Sequence, residues 1–124
     1  MQHLCTIQKR NKLNDVYRVG DPGPGGAYHD YYIYPEGADP QNTELPIAVV
    51  EFQKGPRYDT EARHGVLDVD LLEIVRDRLR HFQAGDYATR ENEMALQHIE
   101  EALLWMNKRT EERAERRVLG TMEK

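Results

Sequence analysis

Serine is absent from the sequence, and cysteine occurs once, as Cys5. Without serine there is no serine nucleophile, which excludes most hydroxyl-based catalytic arrangements. A single cysteine cannot form an internal disulfide. The N-terminal stretch MQHLCTIQKR has no apolar run long enough for a signal peptide or a membrane span. We therefore expect a cytoplasmic protein that does not depend on serine chemistry.

Basic residues are in the minority. Lysine and arginine together number 17 against 22 aspartates and glutamates, and the formal net charge is -5. Non-specific binding to DNA or RNA needs a net basic surface, so no nucleic-acid polymer is expected as a partner and any phosphate site must be local. The five histidines are scattered without the spacing of a ligand set. Neither a metal site nor a cofactor is expected.

The chain has 124 residues, which suits one domain. We expect that domain to cover residues 1–124.

The first half of the chain favours strands. Residues 15–53 contain DVYRV, AYHDYYIY and PIAVVEFQ, which are rich in tyrosine and β-branched residues. The stretches GDPGPGG and PEGADPQNTELP separate them and are typical of turns. These features predict a small antiparallel sheet, with a short edge strand within residues 2–8.

The second half favours helices. Residues 54–67 lack periodicity and predict a loop, and residues 68–119 predict a helical hairpin. Asp68 is expected to be the N-cap of a first helix that ends near Gln83. Apolar residues recur three or four apart in both helices, which indicates a packed face: Leu71, Ile74, Val75, Leu79 and Phe82, then Leu96, Ile99, Leu103 and Met106. The predicted fold class is α+β, with a sheet followed by a hairpin that contains one long helix.

The long helix predicts a second chain. It is expected to run from Thr89 or Arg90 to about Val118. About 28 residues at the helical rise give a length of about 40 Å, whereas a compact domain of this size has a radius of gyration of about 14 Å. The first helix is about half as long, so the C-terminal part of the second is expected to lack an intrachain partner. We therefore expect at least a homodimer, most simply through a two-fold axis.

Two arginines on the long helix are candidates for phosphate binding. Arg109 and Arg113 are four residues apart, so their side chains project from the same face and could grip a phosphate through charge-assisted hydrogen bonds. The alternative is a solvated surface, because these arginines belong to a run of mixed charges that is common near helix C-termini. Spacing alone favours the solvated surface.

Phe82 and Asn92 are candidates for binding a base. Phe82 offers a flat ring for stacking and Asn92 an amide for polar edges. A phenylalanine that continues an apolar stripe is more often a core residue, however, and asparagine is common in the first turn of a helix. Asn92 and Arg109 are 17 residues apart, about 25 Å along a helix. One chain therefore cannot bring all four residues to one small ligand, whereas two antiparallel chains could form two composite pockets.

The sequence also resembles a known family. The stretches EFQKGPR, LLEIVRDRLRHFQAG, RENEMALQHIEEALLWMNKRT and RRVLGT are similar to those of phage Thoeris anti-defence proteins, which share a helical hairpin with phage anti-CBASS sponges. The resemblance runs from about Tyr17 to Thr121. It implies an N-terminal antiparallel sheet, a C-terminal hairpin, assembly through the long helices and action in the cytoplasm of the host cell.

The resemblance further implies an activity and a ligand. Members bind glycocyclic ADP-ribose, the signal of Thoeris defence, and hold it intact so that the effector stays inactive; some also bind CBASS cyclic oligonucleotides at a separate site in a higher oligomer, such as a hexamer. By motif, the stacking aromatic falls on Phe82, the polar contact on Asn92 and the phosphate-binding arginines on Arg109 and Arg113. Arg57, in the FQKGPR loop, falls on the second site.

Two other functions stay open at this point. The same pocket could hydrolyse the signal, although the sequence shows no convincing nucleophile, metal set or carboxylate pair. Alternatively, the hairpin could inhibit a host protein by direct binding through its charged C-terminal face. The signal isomer and the choice between dimer and hexamer are also open.

Overall fold

The computed structural model describes residues 1–42 and 44–121. It contains a four-stranded sheet followed by two helices, which confirms the predicted α+β class. The chain forms two compact units. The sheet unit comprises Met1–Gly55 and Thr60–Gly65, and the hairpin unit comprises Pro56–Asp59 and the chain from Val66 onward. The expectation of a single domain over residues 1–124 stays a prediction.

The sheet has the strand order β1-β2-β3-β4, and each neighbouring pair is antiparallel. The strands are β1 (Gln2–His3), β2 (Asn14–Val19), β3 (Asp30–Pro35) and β4 (Ala48–Glu51). All three predicted strands and the edge strand are therefore confirmed. Strand β3 begins later than the AYHDYYIY pattern suggests, because the preceding turn is closed by a hydrogen bond from the Gly23 N–H to the Ala27 carbonyl, 2.8 Å long.

Aromatic rings pack on one face of the sheet. Tyr34 is 4% exposed, and the ring of Tyr17 meets it edge-on with the centroids 5.7 Å apart. The imidazole of His3 stacks on the other side of Tyr17 at 4.9 Å. Because β1 forms only two residue pairs with β2, this stacking is a substantial part of what holds the edge strand on the sheet.

A buried carboxylate lies beside these rings. One oxygen of Asp15 accepts a hydrogen bond from the Gly37 N–H at 3.2 Å, and the other lies 3.2 Å from His3 Nε2 and 3.3 Å from Lys12 Nζ. The hydrogen bond from Gly37, followed by the interactions with Lys12 and His3, lowers the pKa of Asp15. Asp15 therefore ties the edge strand, the start of β2 and the turn after β3 together.

We expect Asp15→Asn to lower the thermal unfolding midpoint near neutral pH. The pKa of Asp15 is lower in the folded chain than its ordinary value of 3.8, so its charge stabilises the fold above that value and the benefit is lost as the pH falls through the folded pKa. The difference between parent and variant should therefore narrow in acid, as followed by circular dichroism. Asp21→Asn, at an exposed aspartate, is the control. Equal midpoints for parent and Asp15→Asn near neutral pH would contradict this account.

The first helix, α1, spans Asp68–Gln83. The N-cap is Leu67, so the prediction that Asp68 caps the helix is wrong. The side chain that binds a backbone N–H at this end of the helix belongs to Asp70, whose carboxylate accepts the Leu67 N–H at 2.8 Å. A carboxylate three residues into the helix can reach back to the N-cap N–H and is also favoured by the helix dipole.

The second helix, α2, spans Arg90–Glu115, and the Thr89 hydroxyl accepts the Asn92 N–H at its start. Gln83 closes the connection between the helices, because its amide both accepts from the Thr89 N–H and donates to the Thr89 carbonyl, each at 3.0 Å. Midway along the hairpin, Arg76 Nε lies 2.8 Å from a Glu100 carboxylate oxygen. The predicted hairpin is confirmed.

The end of α2 differs from the prediction. The helix stops at Glu115, not near Val118, because Arg117 adopts a positive φ of 60° and turns the chain back. The Val118 N–H then donates to the Arg113 carbonyl at 3.0 Å. The chain after α2 therefore folds back on the last turn of the helix. The expectation that the apolar residues in the C-terminal part of α2 lack an intrachain packing partner stays a prediction.

Candidate ligand-binding site

Phe82 lies in the last turn of α1 and presents its ring to solvent. It is 41% exposed, and the Arg78 guanidinium lies 5.5 Å from the ring centroid. Asp77 and His81 complete a shallow groove of about 480 Å³ around these two side chains. Phe82 therefore continues the apolar stripe in sequence but leaves part of its ring open for stacking.

Asn92 is half-buried in the first turn of α2. Its backbone N–H donates to the Thr89 hydroxyl at 3.0 Å, so the N-cap is made by Thr89 and does not use the Asn92 carboxamide. Phe82 and Asn92 thus flank the same connection, which is the closed end of the hairpin.

The two candidate arginines occupy different environments, although the sequence gives them equal weight. Arg109 is exposed. Arg113 is 7% exposed, and its Nη2 donates to the carbonyls of Val118 and Thr121 at 3.1 and 3.2 Å. The chain turns back after the helix and brings the carbonyls of Val118 and Thr121 to this side chain in the last helical turn. No pattern in the sequence marks this contact.

The candidate residues form two groups within one chain. Phe82 and Asn92 lie at the closed end of the hairpin, and Arg109 and Arg113 lie toward the opposite end of α2. The 17 residues from Asn92 to Arg109 correspond to about 25 Å of helix. The structure therefore does not bring the four residues together in a single chain.

Arg57 lines a separate groove of about 740 Å³ in the hairpin unit. The groove lies between the start of α1 and the second half of α2; besides Arg57 its lining comprises Leu67, Val69, Glu73, Arg76, Glu100, Leu103, Leu104, Asn107 and Thr110. Arg76 binds Glu100 at 2.8 Å and Glu73 at 3.3 Å. The hydrogen bond to Glu100, followed by that to Glu73, raises the pKa of Arg76. The sequence analysis gave no role to Arg76 or Asn107, because hydrophobic periodicity does not distinguish one polar residue on a helix surface from another.

The apolar faces of the helices are incompletely covered. Within the described residues the buried hydrophobic side chains are Tyr34 in the sheet unit and Leu96 in the hairpin unit. Large apolar residues of the hairpin are well exposed: Ile74 at 59%, Leu104 at 71% and Trp105 at 63%. The accessible surface of the chain is 9733 Å², against about 8300 Å² for two separate compact domains of half this mass. The isolated chain leaves unusually much surface in contact with water.

No helix in residues 1–42 and 44–121 is long and apolar enough to cross a membrane. Within the same residues, no group of three or more histidine, cysteine, aspartate or glutamate side chains could hold a metal ion.

These features define a helical-hairpin protein with candidate anion-binding arginines and an aromatic ring at opposite ends of the hairpin. Residues 47–111 match the family model of the Acb2/Tad1 hairpin domain. The match covers 65 residues, more than half of the 124-residue chain, so the chain belongs to the Acb2/Tad1 hairpin domain family.

A curated relative points in the same direction. Over 78 residues the chain is 49% identical to a protein named Thoeris anti-defense 1 of Bacillus phage SBSphiJ7. The matched region is 63% of this chain and 54% of the relative, so the chain spans about half the length of that protein. The resemblance to phage Thoeris anti-defence proteins inferred from the sequence is confirmed.

Arg113→Ala is expected to destabilise the chain, whereas Arg109→Ala is not. Truncating Arg113 removes a charged donor from two carbonyls, a loss of about 1–3 kcal/mol in the free energy of unfolding, and Arg109 is exposed. Urea unfolding of the two variants in parallel measures the difference. Equal midpoints would mean that the contacts of Arg113 with Val118 and Thr121 contribute nothing to stability.

Proposed function

We propose that this chain binds and sequesters a cyclic ADP-ribose-derived immune signal, glycocyclic ADP-ribose, without degrading it. Holding the signal would block activation of the Thoeris effector in the cytoplasm of the host cell. Membership of the hairpin family and the name of the curated relative support this proposal. The observation that carries it is that one hairpin bears both an exposed Phe82 ring and the arginines Arg109 and Arg113, and that its apolar surface is incompletely covered.

Each candidate residue suits one part of such a ligand. The open face of Phe82 offers stacking for the base, a contact of about 1–3 kcal/mol, and the Asn92 carboxamide can bind polar edges of the ligand. Arg109 and Arg113 can bind the pyrophosphate through charge-assisted hydrogen bonds. Arg113 must exchange its hydrogen bonds to the Val118 and Thr121 carbonyls for the phosphate, so Arg109 is the arginine that a ligand can meet first.

The proposed site is composite. The distance of about 25 Å between Asn92 and Arg109 along α2 is too long for one small ligand to span. Two α2 helices packed antiparallel across a two-fold axis would place Phe82 and Asn92 of one copy beside Arg109 and Arg113 of the other. The exposed Leu104 and Trp105 lie on the intervening part of α2 and supply apolar surface for that contact.

Nanomolar sequestration needs about 12 kcal/mol, which is more than these contacts supply together. Two charged hydrogen bonds at about 1.5–3 kcal/mol each and one stacked base account for only part of it. A pocket that is assembled and rigid before the ligand arrives lowers the ordering cost of binding. This favours a preformed oligomer over a monomer that assembles around its ligand.

The Arg57 groove is proposed as a second site, for the cyclic oligonucleotides of CBASS defence in a higher oligomer such as a hexamer. The exposed Arg57 side chain at a groove of about 740 Å³ supports this assignment. The ligand would be bound by Arg57 together with the amide of Asn107 and the apolar lining.

Isothermal titration of the protein with glycocyclic ADP-ribose isomers tests the first site. We expect about one ligand per protomer, and an affinity at least roughly tenfold weaker for Arg109→Ala, the equivalent of about 1.4 kcal/mol. Arg116→Ala, at another exposed arginine, is the matched control and should bind as the parent does. Parent-like affinity in Arg109→Ala would exclude this arginine from the site.

The fate of the ligand separates sequestration from hydrolysis. After heat denaturation of the saturated protein, chromatography should recover the signal unchanged. A new product that grows with incubation time would establish an enzyme instead. Absence of any heat of binding, together with stoichiometric capture of a host protein, would favour the alternative of direct protein inhibition.

The oligomer is tested by sedimentation velocity. The parent is expected to sediment as a dimer or larger species at about micromolar concentration, and Trp105→Glu to shift it toward monomer, because a buried charge without a partner opposes association. Glu101→Gln, at an exposed position of the same helix, should leave the distribution unchanged. A parent that is monomeric throughout would overturn the composite site.

A further inference from the structure

The last described residues form a turn that folds back on α2. We call residues 116–121 the hook. Arg117 and Gly120 adopt positive φ values of 60° and 81°, and the Val118 N–H returns to the Arg113 carbonyl at 3.0 Å. The Thr121 N–H closes a further turn on the Val118 carbonyl at 3.1 Å. The hook is therefore a hydrogen-bonded structure and not a simple extension of the helix.

The side chain of Arg113 holds the hook from one side. Its Nη2 donates to the carbonyls of Val118 and Thr121, the two carbonyls that bracket the tip at Gly120. Arg113 is buried, although its neighbours in the last turns of α2 are mostly exposed. Hydrogen bonds from a buried charged donor are stronger than those between neutral groups.

Gly120 carries the hook onto the loop that bears Arg57. A β-carbon at position 120 would lie 2.5 Å from Tyr58 Cδ2 and 2.7 Å from Arg57 Cγ, closer than non-bonded carbon atoms approach. The positive φ of Gly120 independently disfavours any other residue. The backbone of the hook thus contacts the side chains of Arg57 and Tyr58 directly.

We propose that Arg113 is a positioning residue for Arg57 and that it acts through the hook. While Arg113 binds Val118 and Thr121, Gly120 supports the Arg57–Tyr58 loop. A role for Arg57 in ligand binding rests on the proposed function, whereas the support of its loop by the hook does not.

The positioning step is tested without ligand, by hydrogen–deuterium exchange of the full chain. We expect Gly120→Ala to accelerate amide exchange in the hook and in residues 57–59 by about tenfold while α1 and the first half of α2 keep their protection. Arg113→Lys, which keeps the charge but loses the planar fork, should do the same. Arg109→Lys, one turn earlier and exposed, is the matched control and should exchange as the parent does.

Unchanged exchange of residues 57–59 in Gly120→Ala would overturn the positioning step, because the close contact could not then support the loop. If Arg113→Lys exposes amides along the whole of α2, Gly120→Ala decides the question, since it leaves the Arg113 side chain intact.

Titration with a cyclic oligonucleotide tests the consequence for the Arg57 groove. We expect Gly120→Ala to bind it at least roughly tenfold more weakly than the parent does, the equivalent of about 1.4 kcal/mol. Parent-like affinity in Gly120→Ala would overturn the positioning of Arg57. Failure of the parent to bind would overturn the proposed second site, whereas the support of the loop by the hook is decided by the ligand-free comparison alone.

Discussion

The hairpin of a single chain leaves large apolar side chains uncovered. A helix in water gains most of its stability from burying one face, yet Leu96 is the buried hydrophobic residue among those described in this unit, and Leu104 and Trp105 are exposed on α2. The same helix separates Asn92 from Arg109 by about 25 Å. A second copy packed along α2 would cover the apolar surface and close this gap in a single event. Stability of the hairpin and completion of the proposed ligand site are then coupled, so a mutation that loosens the interface should weaken binding even when it touches no ligand.

The environment of Arg113 changes how the two arginines contribute to affinity. A charged hydrogen bond stabilises by about 1.5–3 kcal/mol, but Arg113 already donates two such bonds to Val118 and Thr121. Moving its guanidinium to a phosphate exchanges partners and adds little net free energy. Arg109 is exposed, so a phosphate would replace only water at its guanidinium. Water also forms strong hydrogen bonds with that group. In the proposed site most of the affinity would therefore come from stacking and enclosure, and Arg113 would act mainly by selecting ligands that carry a phosphate at the position of these carbonyls.

Periodicity was sufficient to predict the strands, both helices and their order, because alternating and 3.6-residue patterns report directly on which face is buried. It failed at helix ends, where single side chains decide. Asp70 and not Asp68 satisfies the N-terminus of α1, and the positive φ of Arg117 ends α2 early. The candidate site residues came from spacing and resemblance, and neither distinguishes a buried Arg113 from an exposed Arg109. That difference depends on residues 118 and 121 returning to the helix, a contact that local sequence patterns do not encode.

The threonines of the hairpin unit and the carboxylates of the Arg57 groove take part in structural contacts, which supports the proposal that a ligand is held and not cleaved. Its sequence contains no serine and no cysteine, so the hydroxyl nucleophiles available to it are three threonines and tyrosines. Thr89 accepts the N-cap hydrogen bond of α2, Thr110 donates to the Met106 carbonyl, and Thr121 donates to the Val118 carbonyl. The two carboxylates that line the Arg57 groove, Glu73 and Glu100, both bind Arg76. A carboxylate that serves as a general base must be free to take a proton from water or a hydroxyl, and these two are engaged by a guanidinium. Under the proposed function the protein would act stoichiometrically, so the amount of protein made, and not its turnover, would set how much signal it removes.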